Sequence, residues 1–343
     1  MSHSIVTLIR GGSTGHDSKT MQPSATPPSF DTLAIVMQQP EHVVLDRLDL
    51  QQPGADDVIV DVEWSGISTG TERLLYEGRM PSFPGLGYPL VPGYEAVGRI
   101  AHAAPHSGFR KGERVFVPGA ARCFGEVRSL FGAAASRLNV PPQRVVAIDE
   151  SIGERGVLLA LAATAYHALT IGGDGQAECV VGHGVLGRLL ARLIIAMGGD
   201  PPVVWESNPE RAAGATGYRV IDPATDTRRD YRLIFDASGD AGLLDSLIAR
   251  LAPRGEIILA GFYSAPLTFS YPPAFMREAA IRVAAEWKHE DLLAVRNLID
   301  TGRLSLDGLI THHADALSAE SAYRTAFDDP SCLKMVLDWR AAP

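Results

Sequence analysis

The chain has 343 residues, 46% of them hydrophobic and 21% charged, a length and composition that suit two folded domains and exclude a disordered or fibrous chain. A formal net charge of -9 argues against a nucleic-acid partner, because neutralising phosphates takes clustered Lys and Arg. Cys123, Cys179 and Cys332 are far apart and no long apolar run or signal-type N-terminus is present, so a reducing, cytoplasmic location without a membrane span is expected.

In chain order, residues 1–31 carry turn formers such as Gly11-Gly12-Ser13 and Pro27-Pro28 without periodicity, which reads as a disordered extension. From Leu33 to Ile148 short β-rich runs alternate with Gly and Pro: Leu33–Met37, Val43–Leu45, Asp57–Trp64, Ala96–Ala101 and Arg114–Val117. Such spacing predicts a compact, mostly antiparallel β-rich domain over 32–153. Glu154–Thr170, rich in Ala and Leu, predicts a helix, with His167 as a satisfied core histidine.

Next comes Cys179-Val180-Val181-Gly182-His183-Gly184-Val185-Leu186-Gly187, a buried strand running into a Gly-x-Gly-x-x-Gly turn that opens a helix. The turn must be tight, its backbone must approach a pyrophosphate, and the helix N-terminus must face that anion with free N–H groups. Gly182, His183, Gly184, Val185, Leu186 and Gly187 are therefore candidate cofactor contacts. After them the pattern predicts helix Val185–Met197, strands Val203–Glu206 and Leu233–Asp236, helix Ala241–Leu251, strands Glu256–Ala260 and Ile281–Glu286, and helix Asp291–Ile299. Alternation of this kind implies a doubly wound parallel sheet over 154–302, with 303–343 returning to the first domain. Glu206 ends the second strand, where a carboxylate accepts from a ribose diol and repels a 2′-phosphate, so NAD is expected, with NADP kept as the alternative by the nearby Arg211 and Arg219. Ser238, Gly261 and Phe262 follow later strands at the ligand-binding edge and complete the cofactor set.

Two motifs in the earlier domain, Gly66-Ile67-Ser68-Thr69-Gly70-Thr71-Glu72 and Pro92-Gly93-Tyr94-Glu95-Ala96-Val97-Gly98, resemble landmarks of the medium-chain dehydrogenase/reductase superfamily. The resemblance covers about residues 33 to 340 and implies an α/β architecture, a GroES-like β-rich catalytic domain plus a Rossmann domain. Its zinc-dependent members carry Cys in the first motif and Gly-His-Glu in the second. Here Ser68 and Tyr94 stand at those positions, and Gly156–Thr170 offers no Cys, Asp or Glu. A hydroxyl and a phenol are poor zinc ligands, so no metal site is expected.

Further strings, including Gly85-Leu86-Gly87-Tyr88-Pro89-Leu90-Val91 and Pro272-Pro273-Ala274-Phe275-Met276, resemble a narrower branch of the superfamily. That resemblance implies an oxidoreductase of photosynthetic bacteria that uses NAD to oxidise the 3-(1-hydroxyethyl) group of a chlorophyllide or bacteriochlorophyllide to 3-acetyl, in bacteriochlorophyll biosynthesis. Tyr94 is then expected to contact the substrate hydroxyl, with Glu95, Glu72, Ser68 or Thr71 orienting it or relaying the proton. Met80, Phe83, Leu86, Tyr88, Phe262, Tyr263, Phe275 and Met276 are candidates to meet the tetrapyrrole, and Arg73 or Arg79 to meet its propionate. Two rival readings remain: a zinc-free quinone or enone reductase, and a non-catalytic nucleotide- or tetrapyrrole-binding protein. Association into a homo-oligomer is left open.

Overall fold

The computed structural model describes residues 30–82, 84–120, 124–172 and 177–342. The expected extension, Phe83 and Cys123 therefore lie wholly or almost wholly outside the described residues. The first part of the chain forms β1 (Asp31–Gln39), β2 (His42–Asp49), β3 (Val58–Ile67), a short helix α1 (Thr71–Tyr76), β4 (Leu90–Val91), β5 (Ala96–His102), β6 (Arg114–Val117), β7 (Arg128–Ser129), β8 (Arg137–Val140) and β9 (Val146–Ala147). Alternation along β3 sends Val58, Val60 and Val62 into one core, and the irregularity in its pairing with β5 between Val62 and Trp64 turns Trp64 into a second core with Val97 and Phe116. A single strand thus binds two hydrophobic layers, each fully buried Val, Leu or Phe contributing about 1.5–3 kcal/mol.

The second part runs α2 (Leu159–Ile171), β10 (Cys179–Val181), α3 (Val185–Ala196), β11 (Val203–Trp205), α4 (Pro209–Ala212), β12 (Arg219–Ile221), β13 (Tyr231–Asp236), α5 (Leu244–Ile248), β14 (Leu251–Leu259), α6 (Tyr271–Arg277), β15 (Ala280–Val283), α7 (His289–Asp300), β16 (His312–Asp315), α8 (Ala319–Asp328) and β17 (Met335–Asp338). Six strands form one parallel sheet in the order β12-β11-β10-β13-β14-β15. Val180 faces one core and Cys179 and Val181 the other, which is why the strand reads as an unbroken apolar run. Helix α2 is apolar on nearly every side because it is buried against both α3 and α7. Its His167 Nδ1 lies 2.9 Å from Asp291 Oδ2 of α7.

After α7 the chain returns to the first sheets. β17 pairs antiparallel with β3, Trp339 Nε1 donates to Ser65 Oγ at 2.8 Å, and Tyr323 and Phe327 of α8 enter the core beneath β1 and β3.

Three elements differ from the sequence reading. The helix expected over Ala241–Leu251 is only Leu244–Ile248, because Leu251 already pairs with Tyr231 as the start of β14. The helix expected from Glu154 is α-helical only from Leu159, because the residues before it belong to a 3-10 segment, Glu150–Leu158, interrupted at Gly153 with φ +55°. Thr71–Tyr76, to which the sequence reading assigns no element, is helical. Among the described residues no helix is long and apolar enough to cross a membrane.

Candidate active site

In the parallel sheet the chain order reverses between β10 and β13, so a crevice opens beyond the carboxyl ends of those strands. The turn after β10 fills its floor. Gly182 has φ +93°, and a Cβ there would lie 3.3 Å from the Ser238 backbone. On Gly187 a Cβ would stand 1.9 Å from Gly182 O, so only glycine lets α3 start this close to β10. A Cβ on Gly184 meets nothing within 4 Å, and α3 has no side-chain cap. Open space over Gly184 and uncapped amides at Val185 and Leu186 fit a dinucleotide pyrophosphate.

The turn is stiffened from behind. His183 is 0% exposed, with Nδ1 2.6 Å from Arg211 O and Nε2 2.9 Å from Tyr218 Oη. Nδ1 must donate to the carbonyl, so Nε2 accepts from the phenol. Burial pushes the imidazole down to about 4, which keeps it neutral. His183 therefore braces the turn with its side chain, and only its backbone shares the turn's exposed edge. Arg188 adds bonds from its guanidinium to His183 O, Arg211 O and Ala213 O. Glu206 follows β11 and accepts from His183 N at 3.1 Å and Asn208 N at 2.8 Å. Ser238 is held by Asp236 Oδ1 through both N and Oγ, and Gly261 and Phe262 line the same cleft.

That cleft, about 310 Å³, is closed on its other side by Ser68, Thr69, Gly70 and Thr71, with Lys334 at its base. Tyr94 Oη donates to Ser68 Oγ at 2.6 Å, and Thr71 hydrogen-bonds the same phenol. Burial first, then the neighbouring carboxyl of Glu95, pushes the phenol well above its usual range, so Tyr94 stays protonated. Glu72, on the first turn of α1, is 0% exposed; it accepts from Ser68 N at 3.0 Å and Tyr323 Oη at 2.9 Å. Desolvation raises its carboxyl to about 7, against the lowering effect of the Ser68 amide. Glu95, also 0% exposed, pairs with Lys334 Nζ, which reaches Ile67 O at 3.4 Å. Burial pushes the Glu95 carboxyl up and the Lys334 ammonium opposes this. A Cβ on Gly66 would sit 2.5 Å from Glu95 Oε2, so the first motif needs its glycine to admit the second.

Ser68, Thr71, Glu72, Tyr94 and Glu95 thus converge on one cluster opposite the glycine turn. Lys334 and Tyr323 belong to it and escaped the sequence reading. A lysine inside an apolar strand, Leu333-Lys334-Met335-Val336-Leu337, was the available signal, since a charge at a core position demands a partner. Phe275 and Met276 stand on α6, outside the lining of this cleft, at 62% and 75% exposure. Among the described residues no three His, Cys, Asp or Glu converge as a metal site.

Residues 54–150 match the alcohol dehydrogenase GroES-like domain. The architecture is shared with an alcohol dehydrogenase from Thermus sp. ATN1 (TM-score 0.75, 22% identity, 90% of this chain and 100% of that one). It is shared equally with an alcohol dehydrogenase from Escherichia coli CFT073 solved with NADH (TM-score 0.76, 21% identity, 90% and 99%). The fold is that of the medium-chain dehydrogenase/reductase alcohol dehydrogenases. The chain is 58% identical to the 2-desacetyl-2-hydroxyethyl bacteriochlorophyllide A dehydrogenase of Cereibacter sphaeroides over 90% of its length and 99% of the relative's. Its identity to the Rhodobacter capsulatus protein of the same name is 54% over 91% and 100%. The chain belongs to this family of bacteriochlorophyllide dehydrogenases.

Proposed function

We propose that the protein is an alcohol dehydrogenase that oxidises the 3-(1-hydroxyethyl) group of a chlorophyllide or bacteriochlorophyllide to 3-acetyl, with NAD as oxidant, in bacteriochlorophyll biosynthesis. The observation that carries this reading is the family's high identity over nearly the whole chain, joined to one cleft that sets the Gly182–Gly187 turn against Ser68, Thr71 and Lys334. A nicotinamide dinucleotide supplies the hydride acceptor. Glu206 supports NAD over NADP: its carboxylate lies at the turn, where it would repel a 2′-phosphate.

The chain's own residues then manage the proton. The substrate O–H donates to Ser68 Oγ, whose second lone pair already takes the Tyr94 phenol. As the carbinol C–H pair leaves as hydride, the O–H proton leaves through Ser68 Oγ toward the carboxylate of Glu72, which is held beside Ser68 by the Ser68 amide at 3.0 Å. The C–O bond becomes C=O. Glu72 suits the role of acceptor because a base poised near 7 balances correct ionisation against driving force. Tyr94 remains protonated and donates to Ser68 Oγ, steadying the hydroxyl that takes the substrate proton, and Thr71 orients the phenol. Glu95 with Lys334 sets the charge around them. This scheme needs no metal: the hydroxyl of Ser68 and the phenol of Tyr94 are poor ligands for zinc.

Incubating the protein with NAD and 3-(1-hydroxyethyl) bacteriochlorophyllide a should yield NADH and the 3-acetyl pigment in equal amounts. Absence of both products would sink the reading. Glu72→Gln should abolish the limb of kcat/KM near pH 7; retention of that limb would assign the proton elsewhere.

A further inference from the structure

We propose that Arg73 and Arg79 form a cationic mouth on the catalytic cleft that recognises the free propionate carboxylate of the tetrapyrrole and rejects its ester. The proposal rests on the dehydrogenase reading above. A cleft of about 310 Å³ lies at the small end of the range for ligand pockets, and the nicotinamide shares it. Only the reacting substituent enters, so the macrocycle must lie across the mouth, where the solvent-exposed lining side chains are Arg73, Arg79 and Phe262.

The backbone brings the two arginines together. Six residues of α1 rise about 9 Å from Thr71. The chain then reverses at Gly78, with φ +67°, and Gly78 N and Arg79 N donate to Leu75 O and Leu74 O. Arg79 folds back beside Arg73. Both guanidiniums contact Glu77: Arg73 Nε lies 2.7 Å from Oε1 and Arg79 Nε 2.6 Å from Oε2. Among the described residues lining the cleft, the charged ones are Arg73, Arg79 and Lys334, and none is a carboxylate. Lys334 is neutralised by buried Glu95. Two guanidiniums on one carboxylate leave one positive charge at the mouth. The pairs are partly exposed, at 42% and 57% for the arginines, and exposed pairs exchange partners at little cost. A planar carboxylate also suits the donor fork of arginine.

The test compares kcat/KM for 3-(1-hydroxyethyl) bacteriochlorophyllide a and for its methyl ester, with NAD saturating. A charge-assisted contact predicts a preference for the acid of roughly 10- to 100-fold in the native protein. The Arg73→Gln/Arg79→Gln double variant should turn over both pigments at near parity, through a raised KM for the acid, with kcat and KM for NAD unchanged. Arg79→Gln alone should lose part of the preference, and an Arg79→Lys variant, which keeps the charge and loses the fork, should fall between Arg79→Gln and the native protein. Equal turnover of acid and ester by the native protein would overturn the proposal while leaving the dehydrogenase reading intact. So would a preference that survives in the double variant, or a parallel rise in KM for NAD, which would assign the arginines to the cofactor phosphates. Oxidation of neither pigment by the native protein would overturn the dehydrogenase reading, and the proposal with it.

Discussion

The glycine turn and the catalytic cluster face each other across one cleft, yet they are built on opposite principles. In the turn, the groups offered to a cofactor are backbone: amides at the start of α3 and glycines where a Cβ would collide, with the polar side chains of His183 and Arg188 engaged behind them. In the cluster, the proposed chemistry rests on side chains whose charges do not balance. Glu72 and Glu95 are both 0% exposed against one buried ammonium, Lys334, and Glu95 Oε1 has no hydrogen-bond partner. A satisfied network fixes geometry, whereas an unbalanced one stores the proton affinity that chemistry needs.

The sharpest way to break this contrast is to remove the cluster's cation. Lys334→Met leaves Glu95 buried and unpaired, and stability in urea should fall by about 3–5 kcal/mol. Adding Glu95→Gln to that variant should restore much of the loss. If the single change costs no more than an exposed substitution, the pair contributes little to the charge balance of the cluster.

Next comes the pH dependence carried by Glu72. Its carboxyl is raised from 4.5 in the unfolded chain to about 7 in the fold, so its proton is bound more tightly in the native state. The associated stability is fully present below pH 4.5 and is lost as pH rises through 7. At 1.36 kcal/mol per pH unit the difference is about 3 kcal/mol. Unfolding curves of the native protein and Glu72→Gln should diverge over that window, with the variant flatter. Parallel curves would place the Glu72 carboxyl in its ordinary range.

Of comparable but smaller size is the effect of Tyr94→Phe, which removes one donor to Ser68 Oγ. Turnover should fall about 100-fold while NAD affinity stays constant. Near-normal turnover would reduce Tyr94 to a space-filling ring packed on Phe131, whose centroid is 5.4 Å away.

These expectations also mark what the sequence could disclose. The parallel sheet was legible because local signals coincide there: an apolar run, glycines at fixed spacing, an amphipathic helix and an acid at the next strand end. Ser68 and Tyr94 were legible by position within two motifs. The start of α1 was obscured because Gly70 ahead of Thr71 reads as a turn and the helix is only six residues long. Lys334 and Tyr323 were out of reach for a different reason: they lie 239 and 251 residues from Glu95 and Glu72, the groups they contact. No local periodicity encodes a partner that only the return of β17 and α8 to the first sheets supplies. Spacing therefore exposes a backbone site, and topology is needed to complete a side-chain site.

The smallest effect probes the one place where a side chain enters the backbone-built half. Glu206 accepts from His183 N and Asn208 N, so its charge steadies the turn and, on the proposed reading, faces the ribose diol of NAD. Glu206→Gln keeps one acceptor oxygen and removes the charge. The preference for NAD over NADP should shrink about 10-fold, equivalent to about 1.4 kcal/mol, chiefly through better kcat/KM with NADP, because the repulsion of a 2′-phosphate is relieved. A loss confined to NAD, with NADP unimproved, would mean that Glu206 acts only as a brace for His183. The turn would then be blind to the 2′ position, and cofactor choice would have to come from residues beyond β11.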